Sequence, residues 1–141
     1  MKRIDNHLGM QYIIQDLYSK GFSVEIVPGI KKYDLIINSK KIQLKTSNFV
    51  PIKKKNHGKT YDYEGFIFQI NKKHTWDKYN KCDILMCVGF NKDNSKEYYI
   101  IPIKEILNRT SNIHLIRTRD GKERKKNNFM KYLDKFEYLT N

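Results

Sequence analysis

The sequence is short of acids, of cysteines and of long apolar runs. Asp and Glu number 15 against 28 Lys and Arg, a formal net charge of +13. A surface this positive repels itself and attracts polyanions, so DNA, RNA or an anionic membrane are the partners that charge alone admits. The Ile-, Lys- and Asn-rich composition tempers that inference, because biased codon usage raises lysine without a binding purpose. No apolar run reaches the length that spans a bilayer, about 18 residues, so no membrane partner is expected. The opening Met1-Lys-Arg-Ile-Asp-Asn-His7 leads into no hydrophobic secretion segment, and a cytoplasmic protein is expected. Only two cysteines occur, Cys82 and Cys87, around one apolar stretch, and buried free thiols are the plain expectation. His7, His57, His74 and His114 are scattered without zinc-ligand spacing. Glycine-rich phosphate loops, serine-nucleophile elbows and dinucleotide fingerprints are absent too.

What is present suits one domain over residues 1–141, with 39% hydrophobic residues for a modest core. Residues 5–20 carry apolar positions at helical spacing and end at Gly21. Residues 22–27, 33–37 and 41–46 read as strands in a meander, with Asn38-Ser39-Lys40 as a tight connection. Residues 50–62 show no clean period and are expected to be a basic, mobile loop. Residues 65–70, 83–89, 97–102 and 113–117 read as further strands, with 83–89 central. A short helix or turn is expected around Trp76 and Tyr79, and a short helix over 104–109. A basic C-terminal helix is expected over 123–138, where Phe129, Tyr132, Leu133 and Phe136 are helically spaced.

The chemistry concentrates at Asp34 and Gln43-Leu44-Lys45. Gln43 and Lys45 are two apart, so both project to one face of a strand. Adjacent strands lie about 4.8 Å apart, which brings Asp34 within reach of both. A carboxylate can hold Mg²⁺, an amide oxygen can be a neutral second ligand, and a lysine can orient the attacking water or neutralise phosphate charge. This is the apparatus of a metal-dependent phosphodiesterase. Alternating strands also produce such pairs freely.

Tyr33-Asp34 at a strand start, followed after eight residues by Gln43-Leu-Lys45-Thr46, resembles the PD-(D/E)XK nuclease superfamily, and within it small homing endonucleases and Holliday-junction-resolvase-like enzymes. The acid-x-lysine pair is replaced by glutamine-x-lysine. The resemblance implies an α/β (α+β) restriction-endonuclease-like core, a central mixed sheet flanked by helices in αβββαβ-type order. It implies Asp34 as metal ligand, Gln43 in place of the second acid, a backbone carbonyl ligand at Leu44, and Lys45 as the catalytic lysine. The cofactor implied is Mg²⁺, with Mn²⁺ able to substitute. An acid usually sits on the first helix; here Gly9-Met10-Gln11 stands there, which leaves Gln11 as a weak amide ligand, or Asp5 or His7 serving from the preceding turn.

The implied activity is a site-specific DNA endonuclease on double-stranded DNA. A chain this small contacts few base pairs, so a homodimer or homotetramer is expected. Lys53, Lys54, Lys55, His57 and Lys59 form one expected DNA contact. Arg117, Arg119, Lys122, Arg124, Lys125 and Lys126 form a second, opening a helix whose dipole would disfavour them without a polyanion. The alternatives are a Holliday-junction resolvase, which reads DNA shape, and a non-catalytic nucleic-acid-binding protein on a degenerate nuclease core.

Overall fold

A computed structural model describes residues 6–27, 34–56, 58–70, 82–106, 111–123 and 129–140, and of residues 6–8 and 54–56 the backbone alone. The helical spacing near the start becomes α1 (Asn6–Ser19), which buries Ile13 and Leu17 fully. Gly21, at φ 91°, takes the left-handed conformation that stops it. The meander follows as β1 (Val24–Ile26), β2 (Leu35–Ile37) and β3 (Lys40–Asn48). Asn38 and Ser39 both hold positive φ, 50° and 66°, as a two-residue hairpin turn requires. That turn fixes the register, with Leu35 opposite Ile42.

Residues 50–62 differ from the mobile loop expected. They contribute β4 (Val50–Asn56) and the start of β5 (Lys59–Phe68), paired antiparallel from Val50↔Gly65 out to Asn56↔Lys59. The hairpin rests on backbone pairing and on one buried apolar pair, Ile52 opposite Tyr63, while lysines fill much of the rest, so no sustained apolar period betrays it. After it come β6 (Ile84–Phe90), β7 (Lys96–Pro102), β8 (Ile113–Arg119) and β9 (Lys122–Glu123). The segment around Trp76 and Tyr79 lies outside the described residues.

Two sheets result. The first has the order β1-β2-β3-β6-β7, and the second β4-β5-β8-β9. β3 and β6 run parallel, which a tight turn cannot achieve, so the chain crosses through the second sheet between them. Every residue of β6 is buried, the mark of a strand covered on both faces. On one face α1 packs Ile13 and Leu17 against Leu35, Ile37, Ile42, Met86 and Ile100. On the other, Leu85, Cys87, Tyr99 and Ile101 meet Phe66, Phe68, Ile113 and Leu115 of the second sheet. The sheets approach closely at Gly89, where an added Cβ would come within 2.5–2.6 Å of the Phe66 ring. This is the mixed α+β architecture expected, with a sheet rather than a helix covering the second face among the described residues.

The helix expected over 123–138 is not formed by the described part of it. Lys122–Glu123 is β9, and Met130–Tyr132 and Phe136–Leu139 are single 3-10 turns. Asp134 at φ 55° breaks the path between them. The aromatic spacing misleads because its members serve different cores. Phe129, Tyr132 and Leu133 join the second-sheet side, whereas Phe136 joins the α1 side. The segment straddles the β7 edge, with Leu133 bridged to Tyr99 and Asp134 N–H donating to Tyr98 O at 2.8 Å. One straight helix cannot face both sides of a sheet.

Candidate active site

Ile42 and Leu35 oppose each other, so the residues one step outward, Gln43 and Asp34, meet on the face turned toward the second sheet. Gln43 Nε2 donates to Asp34 Oδ2 at 2.9 Å, and Leu44 N–H donates to the same oxygen at 2.8 Å. Asp34 N–H in turn donates to Ile42 O at 2.8 Å, which closes the carboxylate onto the strand. Leu44 N–H therefore faces the open end of β2. Its carbonyl leaves the strand on that same edge, because both polar groups of a strand residue project the same way.

Gln43 is the one buried polar residue of the described core, 6% exposed. Its Nε2 is committed to Asp34, and its Oε1 is buried without a hydrogen-bond partner. An orphaned buried acceptor costs about 1–3 kcal/mol, so an unsatisfied oxygen beside a carboxylate suits a cation or a water bound to one. Among the described residues no three His, Cys, Asp or Glu side chains gather into a metal-holding group. A cation here would rest on one carboxylate supplemented by amide and carbonyl oxygens.

Lys45 lies one step further along the same face, half-buried, opposite Cys87 in the parallel register. Burial pushes the Cys87 thiol well above its ordinary range, and the Lys45 ammonium pulls it partly back. Cys87 is thus an inert apolar floor under the lysine. Cys82 and Cys87 are both buried and free, as expected. Gln11 lies exposed on α1, whose buried side packs on the opposite face of the sheet.

A sequence model of the PD-(D/E)XK endonuclease family matches residues 3–139. The chain belongs to that family. A solved bacterial homing endonuclease, I-Ssp6803I, is similar in fold, with a TM-score of 0.58 at 18% identity over 94% of this chain and 88% of that one. No curated protein matches the sequence.

The expected DNA-contact residues of this PD-(D/E)XK chain divide in the structure. Lys53 and Lys59 are exposed on the β4–β5 hairpin. Arg119 and Lys122 are exposed and paired across the β8–β9 turn. The Arg119 guanidinium stands 5.0 Å from the Tyr61 ring, which joins the two patches. They flank a β-turn, so the helix-dipole argument does not apply to these two. Arg117 differs from expectation. Its side chain is 15% exposed, and its Nε lies 2.9 Å from Glu97 Oε1 in a charge contact rather than an aligned hydrogen bond. Tyr99 OH donates to the same glutamate oxygen, and Asn91 Nδ2 to the other at 3.1 Å. Arg117 is a structural tie. The side chains of Lys54 and Lys55, and all of His57, Arg124, Lys125 and Lys126, lie outside the described residues.

Two participants carry no local signal in the sequence. The Leu44 N–H holds Asp34 from across the β2–β3 hairpin, and Glu97 meets Arg117 from β7. Glu64 of β5 pairs with Lys92 at 3.0 Å.

Proposed function

We propose that this chain is a divalent-metal-dependent endodeoxyribonuclease that cuts double-stranded DNA at specific sites inside the cell. The observation that carries the reading is the Gln43 oxygen, left without a partner beside the Asp34 carboxylate that orients it. Asp34, Gln43 Oε1 and the Leu44 carbonyl would hold the cation, with Gln11 as a further amide donor from α1. Bound there, Mg²⁺ or Mn²⁺ would supply charge stabilisation at the phosphate and a more acidic water.

The remaining work falls to side chains. Asp34 carries the negative charge that recruits the cation, and its two hydrogen bonds hold one carboxylate rotamer. Lys45, on the same face, orients the attacking water or neutralises charge on the phosphate oxygens. The apolar Cys87 floor limits where its stem can go. Lys53, Lys59, Arg119 and Lys122 grip the backbone, and the β4–β5 hairpin is the element suited to a groove. Two or four copies would extend the site to a useful length.

A binding-only role is favoured by one feature, the glutamine at the first-helix position where the family carries an acid. The test is Mg²⁺- and Mn²⁺-dependent cleavage of a complex DNA pool by the native chain, Gln11→Glu and Lys45→Ala. Discrete cuts lost in Lys45→Ala support the nuclease. Tight binding with no cutting by the native chain or Gln11→Glu sinks it and leaves the binding module.

A further inference from the structure

Ser47 stands two residues past Lys45 and shares its face of β3. Its Oγ accepts the Ile67 N–H at 3.0 Å and donates to Asn48 O at 2.8 Å. Ile67 belongs to β5 beyond the point where β4 ends its pairing, at Val50↔Gly65. Its N–H therefore points to an edge that β4 no longer covers. The serine hydroxyl fills the missing rung. Next to it the chain turns from the first sheet into the second at Phe49, whose N–H donates to Phe90 O at 3.0 Å. One hydroxyl thus joins the strand that carries Gln43 and Lys45 to the strand that forms the basic hairpin.

We infer that Ser47 is a positioning residue, fixing the DNA-gripping hairpin relative to Lys45 so that a seated duplex brings its phosphate to the lysine. This rests on the nuclease reading above. The reacting atoms tolerate little displacement: a shift of about 1 Å costs on the order of a hundredfold in rate. As a positioning residue Ser47 touches neither substrate nor cation. Its loss should appear in the chemical step and leave the grip intact. Threonine retains the hydroxyl and suits a strand, so it should substitute.

The experiment compares native chain, Ser47→Ala and Ser47→Thr on a cleaved duplex with Mg²⁺. It measures equilibrium DNA affinity in EDTA and single-turnover rate at saturating DNA. The expected result is Ser47→Ala affinity within about twofold of native, a single-turnover rate down about tenfold or more, and Ser47→Thr near native. A Ser47→Ala rate within about twofold of native overturns the inference. So does parallel loss of affinity, melting temperature and rate, or a Ser47→Thr protein as slow as Ser47→Ala. If the native chain cuts no duplex, the nuclease reading fails and takes this inference with it. If the native chain cuts and Ser47→Ala cuts equally well, only the inference fails.

Discussion

Gln43 and Asp34 face each other across the open end of β2, the amide donating to the carboxylate at 2.9 Å and leaving its own oxygen unpaired. Where the family's usual pattern places a second acid, this chain places a neutral donor. That choice removes like-charge repulsion and fixes the amide, because the opposite orientation would set oxygen against oxygen.

Gln43→Glu tests this relation. Two carboxylates would then share a pocket in which residue 43 is 6% exposed. One of the pair should titrate well above the usual carboxylate range. A raised folded-state pKa in an acid gives a penalty that is full above that pKa and relieved as pH falls through it. In EDTA at neutral pH the variant should be less stable than native by about 3 kcal/mol. The deficit should shrink on mild acidification, and Mg²⁺ should raise its melting temperature more than the native protein's. Melting curves over pH, with and without Mg²⁺, check this. Equal stability at all pH values would mean the two groups are further apart or wetter than the hydrogen bond indicates.

Lys45→Ala should lower single-turnover cleavage by about 10²–10³-fold, the usual cost of one charge-stabilising donor. DNA affinity should change by less than about tenfold, since one cation among many is lost. Gel-shift and cleavage assays on the same duplex separate the two. Equal losses in both would make Lys45 a binding residue.

Arg117 and Arg119 sit two apart on β8 and should behave oppositely. Arg117→Ala strands Glu97 in a pocket where each partner is 15% exposed, and should cost about 3 kcal/mol in denaturant unfolding. Arg119→Ala should unfold like the native chain but bind DNA more weakly, with the salt dependence of affinity flattened by about one unit of slope. Reversed outcomes would place Arg117 on the DNA.

Gly65→Ala addresses the bulge between Glu64 and Gly65, where β5 shifts register against β8. A Cβ there would collide with the Leu115 carbonyl oxygen and approach Arg117 N to 3.0 Å, both backbone atoms that cannot rotate away. A loss of roughly 1–3 kcal/mol is expected, as for overpacking elsewhere. Denaturant midpoints measure it, and an unchanged midpoint would show that the bulge relaxes freely.

α1, the first meander, the buried central strand and the Asp34–Gln43–Lys45 grouping are legible in the chain. Each is written in local terms: apolar period, a turn pair at Asn38-Ser39, and alternation that sends 43 and 45 to one face. The tertiary structure alone decided the second sheet, the inward turn of Arg117 and the bridge at Ser47. The hairpin at 50–62 is held mainly by backbone pairing, and the single buried pair of Ile52 and Tyr63 is too little to set a side-chain period. The aromatic spacing over 129–136 suits a helix until the β7 edge divides it between two cores. Arg117 and Arg119 are alike to any local reading. Only Glu97, brought over from β7, makes one a half-buried tie and leaves the other on the surface, because an ion pair is settled by what faces it and not by what precedes it.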